Sequence, residues 1–277
     1  MKNFFDKLLK LDRRILFLLV VFVIVFPIFK PLKLPGIKIT DAVKGVYNTI
    51  ESLPENSVIL VSFDFDPASK PELYPMAVAV LRHAFKKNLK VIGMTLWATG
   101  PGIADEIITM TAREYKKEYG KDYLYFGYQV GGYAVITGMG TDIYKIFSKD
   151  AKKGSPLETF PVMQGIKSLK NFAYVIDFGA GDPGIDTWIA YGADKFGFKL
   201  GAGCTAVNEA PTRPYLQTKQ LTGLIPAMKG ASEYEILIKA PDKASAGMDA
   251  IGLGHFLILF LVILANVVLI VQKYLLT

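Results

Sequence analysis

The 277-residue sequence contains one cysteine and two histidines. A single cysteine cannot form an intramolecular disulfide, so a disulfide scaffold is excluded; we expect Cys204 to be a buried strand residue, with a reactive thiol as the alternative. Zinc-spaced His/Cys clusters are absent, and Ser–His or Cys–His catalytic pairs are poorly supplied. Neither a P-loop nor a GxGxxG motif occurs. The sequence therefore predicts no cofactor, no metal site and no enzyme.

The net charge of +7 belongs mostly to the chain ends. Five basic and two acidic residues precede Ile15, and Lys273 follows the last apolar stretch. Residues 30 to 249 are nearly balanced, with 26 basic and 23 acidic residues. Lys86, Lys87 and Lys90 form only a small basic patch without accompanying aromatic residues. We therefore predict no nucleic-acid partner.

Two apolar stretches near the ends explain the positive mean hydropathy of +0.31. Ile251 to Val271 has no formal charge and is long enough to cross a membrane. Ile15 to Phe29 spans only about 22 Å as a helix, and it follows a basic tail. A cleaved signal peptide is the alternative, but KPLKLPGIKIT, with no small-residue cleavage site, follows it. We predict two spans, with both termini cytoplasmic and the middle of the chain outside, because long translocated domains escape the positive-inside rule.

These patterns divide the chain into six predicted segments. They are a basic tail (1–14), a first membrane helix (15–30), a linker or amphipathic segment (31–54), an α/β globular domain (55–245), a second membrane helix (246–273) and a C-terminal tail (274–277).

Short apolar runs separated by helical segments occupy the middle of the chain. Strands are predicted at 57–64, 90–96, 122–130, 172–178 and 199–207, and residues 215 to 238 are expected to be mostly helical. Continuous rather than alternating apolar strands are typical of a parallel sheet covered on both faces. We predict an α/β fold with a doubly wound, mostly parallel, five-stranded Rossmann-like sheet. Ligands of such folds bind at the carboxyl ends of the strands.

Acidic and hydroxyl side chains stand at several predicted strand ends. Asp64 and Asp66 end the first strand, Thr95 ends the second and Asp182 follows the fourth. With Lys167 or Lys170, this set resembles haloacid-dehalogenase-type phosphatases, which implies a Mg²⁺-dependent phosphohydrolase. Pro67-Ala68 departs from the residues usual after the paired aspartates, and the alternative is strand termination by Asp64 and helix capping by Asp66.

Glycines at two predicted turns are candidates for ligand binding. Gly100 and Gly102 flank Pro101 where a helix begins, and Gly131-Gly132 follow the third strand. Glycine lets the backbone approach a ligand, and a helix start can bind an anion. The alternative is that these glycines only make turns.

The second membrane helix carries residues suited to helix–helix association. Ala246, Ala250 and Gly254 are spaced by four and form a small-residue ridge. His255 and Asn266 share another face, and polar groups inside a membrane usually face protein. An interfacial position for His255 is the alternative.

Three segments resemble one uncharacterised prokaryotic membrane-anchored family: SFDFDP at residue 62, GYQVGG at 127 and YLQTKQLTGLIPAMKGASEYE from 215 to 235. The resemblance covers the chain from about residue 55 and implies architecture without an activity. The chain departs from the family pattern around 177–188, so the acidic loop there is not implied by the family. Gln217, Gln220, Glu233 and Glu235 are candidates for a subunit interface, with packing inside the domain as the alternative.

The leading functional hypothesis is a non-enzymatic one. The paired membrane helices and the missing catalytic constellation predict a protein that self-associates and scaffolds a larger membrane complex, with homo-oligomers and other membrane proteins as partners. A ligand-binding or sensory domain coupled to a membrane partner is the second hypothesis. A phosphohydrolase using Asp64 and Asp66 is the third.

Overall fold

A computed structural model describes residues 12–30, 32 and 38–275 of the chain. Most of the predicted basic tail, part of the predicted linker and the last two residues lie outside the described residues. The chain forms two compact units: the first combines Met1–Gly36 with Pro241–Thr277, and the second is Ile37–Ala240. The second unit thus begins before the predicted boundary at residue 55 and ends before residue 245.

The second unit is an α/β sandwich built on six strands. The strands are β1 (Val58–Asp64), β2 (Lys90–Thr95), β3 (Tyr123–Tyr128), β4 (Tyr174–Gly179), β5 (Leu200–Cys204) and β6 (Leu224–Pro226). The α-helices among the described residues are α1 (Arg13–Phe29), α2 (Asp41–Glu51), α3 (Lys70–Lys86), α4 (Pro101–Glu114), α5 (Tyr133–Thr141), α6 (Ile143–Ile146), α7 (Ile185–Trp188), α8 (Asp194–Phe196), α9 (Ala206–Thr212), α10 (Pro214–Gln217), α11 (Ala227–Leu237) and α12 (Lys243–Leu275). A π-helical turn, Ile189–Ala193, joins α7 to α8.

All strands of this sheet run parallel, in the order β3-β2-β1-β4-β5-β6. The predicted α/β class and parallel sheet are confirmed, whereas the predicted five strands are too few. The sixth strand, β6, lies in the stretch predicted as helix, and α10 and α11 flank it. Buried apolar side chains fill β1 and β4, as expected for central parallel strands.

Helices cover both faces of the sheet. On one face, Ile108 of α4 occupies the space beside Gly93 of β2, and Met76 of α3 lies beside Gly203 of β5. On the other face, Leu60 and Val175 share a core with α5 and with Trp188 of α7. Successive strand side chains alternate between these two cores. The arrangement is the doubly wound one that the sequence predicts.

The first unit contains α1 and α12, which pack against each other. Among the described residues, the one helix long and apolar enough to cross a membrane is Lys243–Val271. The α1 helix has 17 residues, or about 25 Å, against a hydrocarbon core of about 30 Å. The second predicted span therefore corresponds to an observed helix, and the first span stays a prediction.

The predicted small-residue ridge of α12 lies within this helix pair. Ala246 and Ala250 are buried, and a Cβ at Gly254 would lie 4.0 Å from Ile24 of α1. The ridge thus packs within the chain. His255 and Asn266 are exposed, and the Asn266 amide donates to the carbonyl of Val262, one turn earlier, at 2.8 Å.

Candidate functional site

The carboxyl edge of the sheet has a topological switch point between β1 and β4. The chain passes outward from β1 through β2 to β3, and then returns to place β4 on the other side of β1. The loops that follow β1 and β4 therefore diverge at this point. In open α/β sheets this divergence leaves the crevice in which ligands bind.

A cleft of about 320 Å³ lies beside this point, between the loop after β4 and helix α9. Its walls carry two carboxylates, an amide and two hydroxyl groups. The lining residues are Gly179, Gly181, Asp182, Ile185, Asp186, Thr187, Asn208, Pro211 and Thr212. Asp182 and Asp186 are the ionisable groups among them, so the cleft has a negative electrostatic character.

Hydrogen bonds from three directions hold the loop after β4. Ala180 donates its N–H to the carbonyl of Asp64 at 3.0 Å. The indole N–H of Trp97, after β2, donates to the carbonyl of Pro183 at 2.6 Å. Thr187 donates its hydroxyl to Oδ1 of Asp182 at 2.9 Å. These bonds fix the position of the Asp182 carboxylate at the cleft.

Asp186 lies in the first turn of α7 and also lines the cleft. Burial, together with the nearby Asp186 carboxylate, raises the pKa of Tyr215. On α9, the hydroxyl of Thr212 donates to the backbone carbonyl of Asn208 at 2.7 Å. This bond does not involve the side-chain amide of Asn208, a residue that lines the cleft. The site thus presents hydrogen-bond acceptors from two separate elements.

A buried carboxyl pair lies directly beneath the cleft. Asp64 accepts the N–H of Leu96 on Oδ1 at 2.6 Å, and on Oδ2 it accepts the Ser62 hydroxyl at 2.8 Å and the Trp188 indole at 3.0 Å. Asp177, on the adjacent strand, is equally buried. A Cβ at Gly179, which lines the cleft, would lie 2.8 Å from Oδ2 of Asp177.

The two carboxyl groups differ in their surroundings, and hence in how readily each holds a proton. No donor from the described residues reaches either oxygen of Asp177. Burial raises the pKa of both groups, and the neighbouring Asp64 raises the pKa of Asp177 further, well above its usual range. Three donors stabilise the anion at Asp64. Asp177 is therefore the group of the pair that holds its proton up to the higher pH.

The predicted catalytic residues do not converge on the cleft. Asp64 and Thr95 are buried, and Thr95 donates to the carbonyl of Phe63 at 2.7 Å. Asp66 accepts the N–H of Ser69 at 3.0 Å; because Ser69 is itself the N-cap of α3, Asp66 orders the turn before the helix and does not cap it. Asp182 alone of the four lines the cleft. An attacking Asp64 would need an exposed oxygen, so the geometry does not support the phosphohydrolase hypothesis.

The four glycine candidates differ in their surroundings. A Cβ at Gly100 would lie 2.6 Å from the Thr95 hydroxyl and 3.1 Å from the carbonyl of Phe63. Gly102 has open space around it. Gly131 and Gly132 have φ angles of 126° and 47°, which favour glycine. Gly132 lies against Pro183, so the diglycine turn adjoins the loop of the cleft from outside.

Two of the four predicted interface residues are buried within the α/β unit. Oε2 of Glu233 accepts both the N–H and the hydroxyl of Thr40, at 2.8 and 2.7 Å, and Glu235 is also buried. The amide of Gln220 donates to Asp194 at 2.7 Å, and Gln217 is exposed. For Glu233 and Glu235 the alternative of packing within the domain is the correct one.

Sequence reasoning missed Asp177, Asn208 and Thr212 as components of this region. Asp177 interrupts an otherwise apolar strand, which is a signal that the sequence offers. Asn208 and Thr212 lie one helical turn apart after β5, and this spacing places them on one face only once α9 is known to be a helix.

The chain matches no protein-family model, no curated protein and no solved structure. The family resemblance of the sequence motifs therefore stays a prediction.

Proposed function

We propose that this protein is a membrane-anchored binding protein, whose α/β unit takes up a small polar ligand carrying a positively charged amino group. The cleft beside the β1/β4 switch point carries this proposal. It lies where doubly wound folds bind their ligands, and its size is at the lower end of the range for small-molecule sites.

The chemistry of the walls supports a cationic ligand. Asp182 and Asp186 supply negative charge, and no lysine, arginine or histidine is among the lining residues. Thr187, Asn208 and Thr212 add polar groups that can bind hydroxyl or amide groups. An anionic ligand would meet two uncompensated carboxylates, so anions are disfavoured here.

A thermal-shift screen of the full chain in mild detergent tests this proposal. The panel contains amines, polyamines, amino acids and amino sugars, with Mg²⁺ and Ca²⁺ as separate arms. We expect at least one amine to raise the unfolding temperature. In calorimetry, the Asp182→Asn/Asp186→Asn variant should bind that amine at least about tenfold more weakly, as loss of a charge-assisted bond predicts.

A matched control separates site loss from a change in net charge. Glu55 and Glu158 are exposed residues elsewhere on the unit, and Glu55→Gln/Glu158→Gln removes the same two charges. This control should bind as the wild type does. A panel in which no amine stabilises the chain, or equal weakening in both double variants, would overturn the proposal.

The proposed membrane arrangement has two spans, with both termini cytoplasmic and the α/β unit outside. Among the residues that the structure describes, one helix, Lys243–Val271, is long and apolar enough to span a membrane, and α1 packs against it. The basic residues before Ile15 support retention of the N-terminus on the cytoplasmic side.

Self-association into a scaffold is the second candidate function. The observation that favours it is His255, a polar side chain exposed on an otherwise apolar helix surface. A polar group facing lipid is costly, and a second copy can cover it.

Native mass spectrometry in mild detergent tests the scaffold. We expect a homo-oligomer that His255→Leu weakens. Asn266→Leu serves as a control, because the Asn266 amide is already bonded within its own helix. A strictly monomeric wild type would rule this function out.

A further inference from the structure

A second cavity, of about 270 Å³, lies on the opposite side of the α/β unit from the cleft. Its walls come from α2, the end of α3 and the end of α11. Because α3 ends at Lys86 and β2 begins at Lys90, this region lies at the amino edge of the parallel sheet. The cavity is therefore distinct from the proposed ligand cleft.

A buried histidine forms the rigid wall of this cavity. His83 is only 3% exposed. Its Nδ1 lies 2.8 Å from the hydroxyl of Tyr234, its Nε2 lies 2.8 Å from Oε2 of Glu51, and the ring of Tyr47 stacks on it at 4.6 Å. His83 is buried because α11 covers this side of α3.

The proton positions on this wall follow from the charges. The hydrogen bond with His83 lowers the pKa of Glu51, and burial lowers the pKa of His83. Glu51 is therefore an anion that accepts from Nε2–H, and the Tyr234 hydroxyl donates to Nδ1. The negative charge of Glu51 is also engaged by Lys87, at 3.5 Å.

Two further lysines on the cavity wall lack a compensating carboxylate. Lys86 and Lys239 line the cavity, and neither has an ion pair with any residue that the structure describes. The cavity wall therefore carries an excess of two positive charges. Leu237 and Ile238 add an apolar portion beside them.

Lys239 brings its charge to the cavity from the end of a helix. It follows the end of α11 with a φ of 58°, a left-handed conformation in which many helices end and in which glycine is least strained. Lys116 and Lys219 follow helices with the same conformation, and of the three only Lys239 lines this cavity.

We propose that this cavity binds the phosphate group of a phosphate ester. A dianionic phosphate matches the two uncompensated lysines, and lysine is a common point-charge ligand for phosphate. The ester can be a phospholipid headgroup or a soluble metabolite. Lys239 precedes the membrane-helix candidate by four residues along the chain, and basic residues next to membrane helices attract anionic lipids.

Calorimetry with the full chain tests the proposal, with inorganic phosphate and glycerol phosphate as probes. The chain is held in nanodiscs of phosphatidylcholine at constant ionic strength. We expect saturable binding that Lys86→Ala/Lys239→Gly weakens at least about tenfold. Lys239→Gly relieves the strained backbone. The double variant should therefore not unfold at a lower temperature than Lys86→Ala alone.

The control variant is Lys149→Ala/Lys116→Gly, which removes two exposed lysines elsewhere, one of them also in a left-handed conformation, and should bind as the wild type does. Replacing part of the phosphatidylcholine by phosphatidic acid identifies the source. If phosphatidic acid weakens the binding of inorganic phosphate to the wild type, the ligand is a lipid headgroup. If the binding of inorganic phosphate is unchanged, the ligand is a soluble ester. No saturable binding to the wild type, or equal weakening in the control, would overturn the proposal.

Discussion

Asp177 is a carboxyl group in the middle of a fully buried parallel strand, and no described donor reaches it. An ionised form would be uncompensated there, because burial and Asp64 both oppose the charge. Buried polar groups without partners typically cost about 1–3 kcal/mol. We therefore interpret Asp177 as a carboxyl group that stays protonated beneath the cleft.

We predict that Asp177→Asn stabilises the protein at neutral and alkaline pH. Above the pKa of an unfolded aspartate, about 4, folded Asp177 still holds a proton that the unfolded chain has released. Stability therefore falls as the pH rises through this range, until the raised folded pKa is passed. The amide carries no such proton, so the variant should lose this pH slope, and its stability relative to the wild type should grow with pH by up to about 1.4 kcal/mol per pH unit. Thermal unfolding from pH 5 to pH 9 measures both effects.

Asp64→Asn is the contrasting variant. Asp64 accepts three hydrogen bonds, and an amide nitrogen would face at least one of those donors. This change should destabilise the protein by about 2 kcal/mol or more. Equal changes in stability from the two variants would show that Asp177 and Asp64 do not differ in how readily they hold a proton.

Single residues differ in how far the sequence reveals their role. Asp64 follows an apolar run, so its position at a strand end could be predicted. The role of His83 could not, because periodicity identifies α3 as a helix but does not show that α11 covers the histidine. The cleft residues Asp182 and Asn208 are 26 positions apart, and only the sheet order brings them together.

At the scale of elements, α2 approaches the sheet through two glycines. A Cβ at Gly45 would lie 2.2 Å from the carbonyl oxygen of Thr222, and a Cβ at Gly223 would lie 2.2 Å from the N–H of Val46. Both contacts involve backbone atoms, which cannot turn aside as a side chain can. This close approach incorporates α2, predicted as part of a linker, into the α/β unit.

Gly45→Ala should therefore destabilise the unit. The extra methyl group would separate α2 from the segment before β6, at a cost of about 1–3 kcal/mol. Gly102→Ala is the matched control, because nothing lies within 4 Å of its Cβ position, and it should be neutral or slightly stabilising. Thermal melts of the two variants give the comparison. Equal melting temperatures would contradict the described packing.

Elements were predictable where one pattern dominates. The first five strands are apolar runs between turns, and all five exist with ends within three residues of the predicted ones. The three-residue β6 is too short to show such a pattern, and helical residues flank it. The stretch from 133 to 147 forms two helices, because Asp142 ends the first and caps the second by accepting the N–H of Tyr144 at 3.0 Å.

At the scale of the molecule, the single cysteine allows the membrane orientation to be tested. Cys204 is buried, and burial raises the pKa of its thiol to about 12, so it should resist labelling in the folded chain. Lys145 is exposed on the α/β unit. In intact cells, Lys145→Cys should react with a membrane-impermeant maleimide, whereas the wild type should not. Labelling of the variant only after cell lysis would place the unit in the cytoplasm.

The strand order of the whole sheet was beyond prediction from local patterns. Alternating strands and helices are compatible with several parallel orders, and the choice among them depends on contacts between distant segments. The crossover from β3 to β4, which creates the switch point, has no local signature in the intervening residues.

The bond between Thr40 and Glu233 has a mechanical consequence. Thr40 lies three residues after the start of the α/β unit and Glu233 seven residues before its end, so the chain enters and leaves this unit at neighbouring points. A pulling force applied through the two chain ends would act first on the Thr40–Glu233 bond and on the helices α2 and α11. The central strands and the cleft at the carboxyl edge would stay unloaded until that path opened.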